Sequence, residues 1–351
     1  MFRIATRFFQ GRTRCWMAVT FIVAGAFMTD ASAHHVVRRT AHPHVTLAAK
    51  RPVRRPAAKP LRAHRRSRVA KRRAAHARHV YARRRHRPRV AGPHLLARCG
   101  YSRRAVLRLH SHAAYVLDVR TGNALIAHHA HAVRPIASIS KLMTALVARR
   151  THRPLDGILR VTTRDRDTIK FTGSRLSVGS RLSRRDMYHI ALMSSENRAA
   201  SALSRDYPGG QPAFVAAMNA KARALGMSHT HFREPTGLSP HNVSTAADLA
   251  RLVAAAARDP LIRRFSTDKS YIAHPGHGAL LYVNSDPVIR FDHWPVVLQK
   301  TGFINEAGHG VVMRVLVGGR PETVVLLGSP TGRDTVLDAI RIHRWLTCSL
   351  T

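Results

Sequence analysis

A chain of 351 residues with 59 lysines and arginines against 18 acids carries a formal charge of +41. The excess is uneven: 21 of the basic residues fall in 34–98, which holds no acid, so that stretch repels itself and, with many prolines and almost no aromatic residues, cannot bury enough apolar surface to fold. Residues 99–351, with a net charge of +17, are about 250 residues, the upper end of what one hydrophobic core serves.

The first 33 residues follow an export-leader pattern. Arg3, Arg7, Arg12 and Arg14 precede an apolar run from Cys15 to Met28, and Ala31-Ser32-Ala33 supplies small residues at a cut site. The run is short for a transmembrane span, which leaves an uncleaved anchor as the lesser reading and makes the periplasm the expected location. Residues 34–98 then form a basic arm expected to be disordered. Cationic tails of this kind neutralise phosphates by counterion release, but an exported protein meets no specific nucleic acid. Anionic envelope polymers are the available partners, and a solvated linker without a target is the alternative. Once the leader is removed, Cys99 and Cys348 can pair in an oxidising compartment or remain two free thiols.

The folded part opens with "AAYVLDVRTGNALIAHHA", two apolar runs around Thr121-Gly122-Asn123 that predict a hairpin. From Ser138 to about Asp259 the pattern is mainly helical, with helix starts at Ser183 (Asp186 three residues on) and Thr245 (Asp248). "GVVMRVLVGGRPETVVLLGS" gives two strands around Gly318-Gly319, and "DTVLDAIRIHRWLT" closes with a helix. Strands from both chain ends joining in one antiparallel sheet, with an all-helical segment inserted between them, is the expected α/β (α+β) architecture.

The chemistry starts at "PIASISKLMT". Ser138 is a weak nucleophile without a positioned base, and Lys141, three residues on, shares its helix face. The first-turn N–H groups surround the hydroxyl, and the helix's positive end, with any neighbouring cation, favours neutral Lys141. Ser-x-x-Lys alone is weak: Ser266 and Lys269 repeat it in "FSTDKSYI", which reads as a turn into a strand with no helix following. After Ser138, however, come Ser195-Glu196-Asn197 and Lys300-Thr301-Gly302, 57 and 105 residues apart. This ordered trio is the Ser-x-x-Lys, Ser-x-Asn, Lys-Thr-Gly set of penicillin-recognising acyl-transferases, with Glu196 between the second pair. No zinc spacing, phosphate loop, dinucleotide fingerprint or Gly-x-Ser-x-Gly elbow competes with it, so neither metal nor cofactor is expected.

With those motifs, and with "YPGG", "FVAAMNAKARALGM" and "EPTGLSPHNVSTAADLA", residues 110–347 resemble the D-alanyl-D-alanine carboxypeptidase/endopeptidase family (peptidase family S11), nearest its endopeptidase branch. The resemblance implies a β-lactamase/penicillin-binding transpeptidase-like fold and cleavage of D-alanyl bonds through an acyl-serine, with Ser138 as nucleophile and Lys141 as base. It also implies that Ser195 relays a proton, that Asn197 holds a substrate carbonyl, that Lys300 and Thr301 meet a terminal carboxylate, and that Gly302 lets an extended substrate pass. Backbone N–H groups of Ser138 and Phe303 would form the oxyanion hole. Peptidoglycan stem peptides and β-lactams are the implied ligands. The chain stops 49 residues after Gly302, which favours the endopeptidase type over carboxypeptidases with a further β-rich domain. A carboxypeptidase, and an inactive wall- or polyanion-binding protein, are the alternatives.

Overall fold

The computed structural model describes residues 94–291 and 294–351; the expected leader and all but the last residues of the basic arm lie outside them. Contacts of the folded part begin a little before Cys99, where Ala97–Cys99 forms a 3-10 turn and the Leu96 N–H donates to Ser349 Oγ.

Five strands form the main sheet: β1 (Ala113–Asp118), β2 (Ala124–His128), β3 (Val296–Ile304), β4 (Gly308–Val317) and β5 (Arg320–Ser329). Their order is β2-β1-β5-β4-β3, antiparallel throughout, so the two ends of the chain do meet at the β1–β5 pair, with Val116 opposite Val324. The β4–β5 hairpin turns on Gly318 and Gly319, both at positive φ, which a two-residue turn requires and glycine supplies without steric cost. Both faces of the sheet are covered, which is why these strands read as continuous apolar runs. Val311, Met313, Val315, Val324 and Leu326 pack on Ile342, Trp345 and Leu346 of the C-terminal helix (Gly332–Leu350). Their alternates Val312, Val325 and Leu327 face the helical lobe, as the two-residue strand period dictates.

That lobe contains α1 (Ser140–Arg149), α2 (Arg184–Met193), α3 (Asn197–Arg205), α4 (Gly210–Ala224), α5 (Ala246–Ala256) and α6 (Pro260–Thr267). Ser183 and Asp186 close a reciprocal capping box at α2, and the Thr245 hydroxyl accepts from the Asp248 N–H at α5, both at the expected positions. Two expectations need correcting. The inserted segment is not all-helical: it carries the two- and three-residue ladders Arg134–Pro135 with Val243–Ser244 and Ile158–Arg160 with Arg181–Ser183, too short to leave a periodic pattern. Helical structure also does not stop before Pro260. Asp259 caps a further helix that has Pro260 in its first turn, so Ser266 lies in the last turn of α6 rather than in a turn. The second Ser-x-x-Lys copy is nevertheless split: Ser266 is buried and donates to Arg263 O at 2.9 Å, while Lys269 lies beyond the helix and is exposed.

Cys99 and Cys348 are joined by a disulfide, tying the segment before β1 to the end of the C-terminal helix. On the same side of the sequence, β5 buries Glu322. Burial, helped by the neighbouring charge of Asp118, pushes its carboxyl up to about 8, against the opposing pull of Arg320 and Arg314. A carboxyl whose folded value is raised binds its proton more tightly when folded, so the protein loses stability as pH rises from about 4.5 towards 8. Glu322→Gln should therefore raise the melting temperature at pH 8 and change it little at pH 5; thermal unfolding at the two pH values checks this.

Candidate active site

The segment before α1 is a strained turn. Ala137 sits at φ 48°, a conformation that non-glycine residues rarely adopt, and Ser138 follows it in the 3-10 turn Ala137–Ile139 that runs directly into α1. A second strained residue, Ser195 at φ 64°, lies between α2 and α3. Glu196 caps α3 by accepting from the Arg198 N–H and from Ser174 Oγ at 2.7 Å, which places Asn197 at the first helical position. The two turns meet at Lys141. Its Nζ donates to Ser138 Oγ at 2.8 Å, to Asn197 Oδ1 at 2.8 Å and to the Thr236 carbonyl at 2.5 Å.

Lys141 is 1 % exposed, and burial lowers its amine to about 8. The surrounding carboxylates of Glu234, Glu196 and Asp167 oppose that shift, so desolvation rather than a neighbouring cation is the cause. Lys300 is also fully buried, held well below the usual lysine range by burial and by the charge of Lys141, against Asp286; its Nζ donates to Thr301 O at 3.0 Å. Thr301 reaches the surface instead, its hydroxyl sharing a 2.6 Å hydrogen bond with Ser285.

A cleft of about 630 Å³ opens over this group. Ser138, Ser195 and Asn197 line one part of it, and Thr301, Gly302 and Phe303 line another. Lys141 and Lys300 are not on its walls; they lie beneath its floor. The β3 strand is the edge of the sheet, so its outer backbone groups are available to an extended peptide laid alongside. A Cβ at Gly302 would lie 2.9 Å from Ile136 O and 3.2 Å from Ala137 Cβ, so the close approach of β3 to the Ser138 turn by itself requires a glycine there.

Sequence reading gave no role to the loop 234–242, yet it buttresses the centre. The Glu234 carboxylate accepts from the N–H groups of Thr236 and Gly237 at 2.6 Å each, fixing the turn that offers Thr236 O to Lys141. Asn242 Nδ2 donates to Ser140 Oγ at 3.0 Å, and Thr144 Oγ1 donates to Pro235 O at 2.6 Å. The Glu-Pro-Thr-Gly string was the available signal, but only tertiary packing reveals its use. Across the cleft, Lys170 pairs with Glu306 of the β3–β4 turn, and Asn197 Nδ2 donates to Thr172 Oγ1 at 3.2 Å.

Chemically, this is a hydroxyl hydrogen-bonded to an amine that can be neutral near physiological pH, beside an open strand edge and backbone N–H groups. That combination suits acyl transfer through serine.

Comparisons with known proteins agree with that chemistry. A family model described as D-alanyl-D-alanine carboxypeptidase, peptidase S11, matches residues 101–331. The D-alanyl-D-alanine endopeptidase of Pseudomonas aeruginosa is 46% identical over 241 residues, covering 68% of this chain and 77% of that protein. A D-alanyl-D-alanine carboxypeptidase of Salmonella typhimurium is 31% identical over 245 residues, covering 66% and 61%. The crystal structure of a Streptomyces DD-transpeptidase superposes with a TM-score of 0.64 at 23% identity, over 68% of this chain and 98% of that one, a likeness of fold.

Proposed function

Because the chain belongs to the D-alanyl-D-alanine carboxypeptidase family, peptidase S11, we propose that it is a periplasmic serine D,D-endopeptidase that opens peptidoglycan cross-links. The observation that carries the reading is the 2.8 Å hydrogen bond between Lys141 Nζ and Ser138 Oγ at the foot of the cleft.

Neutral Lys141 takes the Ser138 proton as Oγ attacks the carbonyl of a D-alanyl residue. The oxyanion is met by the backbone N–H groups of Ser138 and Phe303, each worth roughly 3 to 4 kcal/mol of barrier in comparable sites. The C–N bond then breaks, and the departing amine leaves with a proton delivered from Lys141 through Ser195. Water, deprotonated by Lys141, hydrolyses the Ser138 ester. Asn197 holds the acyl-side carbonyl. Thr301 meets the carboxylate on the leaving side, and the arriving carboxylate favours the charged form of buried Lys300 beneath it. β-Lactams acylate Ser138 by the same first step.

A cross-link between D-Ala and the side-chain amine of a neighbouring diamino acid is the preferred bond, in keeping with the 46% identity to a protein named an endopeptidase against 31% to one named a carboxypeptidase. The basic arm, with 21 basic residues and no acid in 34–98, would hold the enzyme near anionic envelope polymers by long-range attraction. Digesting purified, cross-linked muropeptides tests the reading: dimers should become monomers with D-Ala retained. Release of terminal D-Ala with dimers intact would replace it by the carboxypeptidase.

Since Lys141 must be neutral to act, and its amine lies near 8, acylation should rise roughly tenfold per pH unit from pH 6 and level off above about pH 8. Stopped-flow acylation by a chromogenic cephalosporin gives the profile; a flat profile over that range would exclude Lys141 as the base.

A further inference from the structure

Next to the cleft lies a second groove of about 440 Å³. The two share Asn197 and Leu238, so a chain that leaves the first past Asn197 enters the second. Three arginines line this groove: Arg164, Arg166 and Arg233. All three are exposed, and among the described residues none of their guanidinium groups has a hydrogen bond or an ion pair.

The groove also holds three carboxylates, but their hydrogen-bonding capacity is already used. Asp165 accepts from Arg205 at 3.0 Å and from Ser201 at 2.9 Å. Asp167 accepts from the N–H groups of Ile169, Lys170 and Thr172. Glu234 is committed to the turn beneath Lys141. What the groove offers a ligand is therefore unpaired guanidinium, a planar donor fork that fits a carboxylate.

We propose that Arg164, Arg166 and Arg233 form a subsite for the free carboxylates of the stem peptide on the acyl side of the scissile bond, and so select anionic stems. The inference rests on the peptidase reading above for its direction: with Asn197 holding the acyl-side carbonyl and Thr301 on the leaving side, the acyl stem is the part that runs towards this groove. Each exposed pair of this kind contributes roughly a two- to fivefold preference, and three acting together about tenfold.

The test uses two synthetic cross-linked stem-peptide dimers, one with free carboxylates on the acyl stem and one with those carboxylates amidated. It also uses benzylpenicillin, whose acyl part is uncharged. Wild-type protein should cleave the free-carboxylate dimer with about tenfold higher kcat/KM, and the preference should shrink at high salt. The variant R164Q/R166Q/R233Q should lose the preference while its penicillin acylation rate stays unchanged; the corresponding triple Lys variant should keep most of it. Equal kcat/KM for both dimers in a wild-type protein that penicillin acylates, or an unaltered preference in the Gln variant, overturns the subsite. A wild-type protein that neither takes up penicillin nor cleaves either dimer overturns the peptidase reading instead.

Discussion

Lys141→Met should leave a folded protein whose acylation by penicillin is about 10³- to 10⁴-fold slower, at the upper end of what a positioned general base supplies. Methionine fills the buried space without the charge. The lost ammonium is one that burial already disfavours, which offsets the hydrogen bonds lost with it, so the melting temperature should change little. Two further losses accompany the proton acceptor: Asn197 Oδ1 and Thr236 O each lose their donor. The variant should also lose the rise in rate between pH 6 and 8, a readout that mere disorder of the site would not abolish selectively. Acylation within tenfold of wild type would mean that another group takes the Ser138 proton.

Gly237→Ala should be nearly as damaging although residue 237 makes no contact with substrate in the proposed mechanism. Its φ of +86° is strained for alanine, and a Cβ there would lie 2.0 Å from Ala137 O and 2.7 Å from the Ser138 nitrogen. These neighbours are backbone, so the Ser138 peptide itself must move. That N–H is one of the two proposed oxyanion donors, and a displacement of about 1 Å in a reacting group costs on the order of a hundredfold. We expect acylation to fall by at least that factor, with a lower melting temperature from the strain. Stopped-flow acylation beside thermal unfolding separates the two effects; a variant with wild-type acylation would show that the turn yields without moving the nucleophile.

Local chemistry explains which parts of this structure were legible in the sequence. Thr121-Gly122-Asn123 and Gly318-Gly319 mark hairpins because turn geometry is written in neighbouring residues, and Ser183 and Thr245 mark helix starts for the same reason. The order of Ser138, Ser195 and Lys300 identified the family's chemistry before any geometry was known. What stayed hidden depends on residues far apart in sequence. Lys300 is read from its motif as a cation that meets a terminal carboxylate, yet its place on β3 buries it under the cleft floor. Gly302 has a motif position, but its cause is the approach of Ile136 and Ala137, more than 160 positions earlier. Glu234 and Asn242 look like ordinary polar loop residues until Lys141 and Ser140 are seen to be their neighbours through Thr236 and a shared hydrogen bond.

The mechanism turns on a covalent acyl intermediate at Ser138. Mass spectrometry of the intact protein after incubation with benzylpenicillin, followed by peptide mapping, detects it. The expected result is the mass of one penicilloyl group on the peptide that contains Ser138, and none on the Ser138→Ala protein. Adduct on a peptide containing Ser195 or Ser266, or an undiminished adduct in the Ser138→Ala protein, would contradict it.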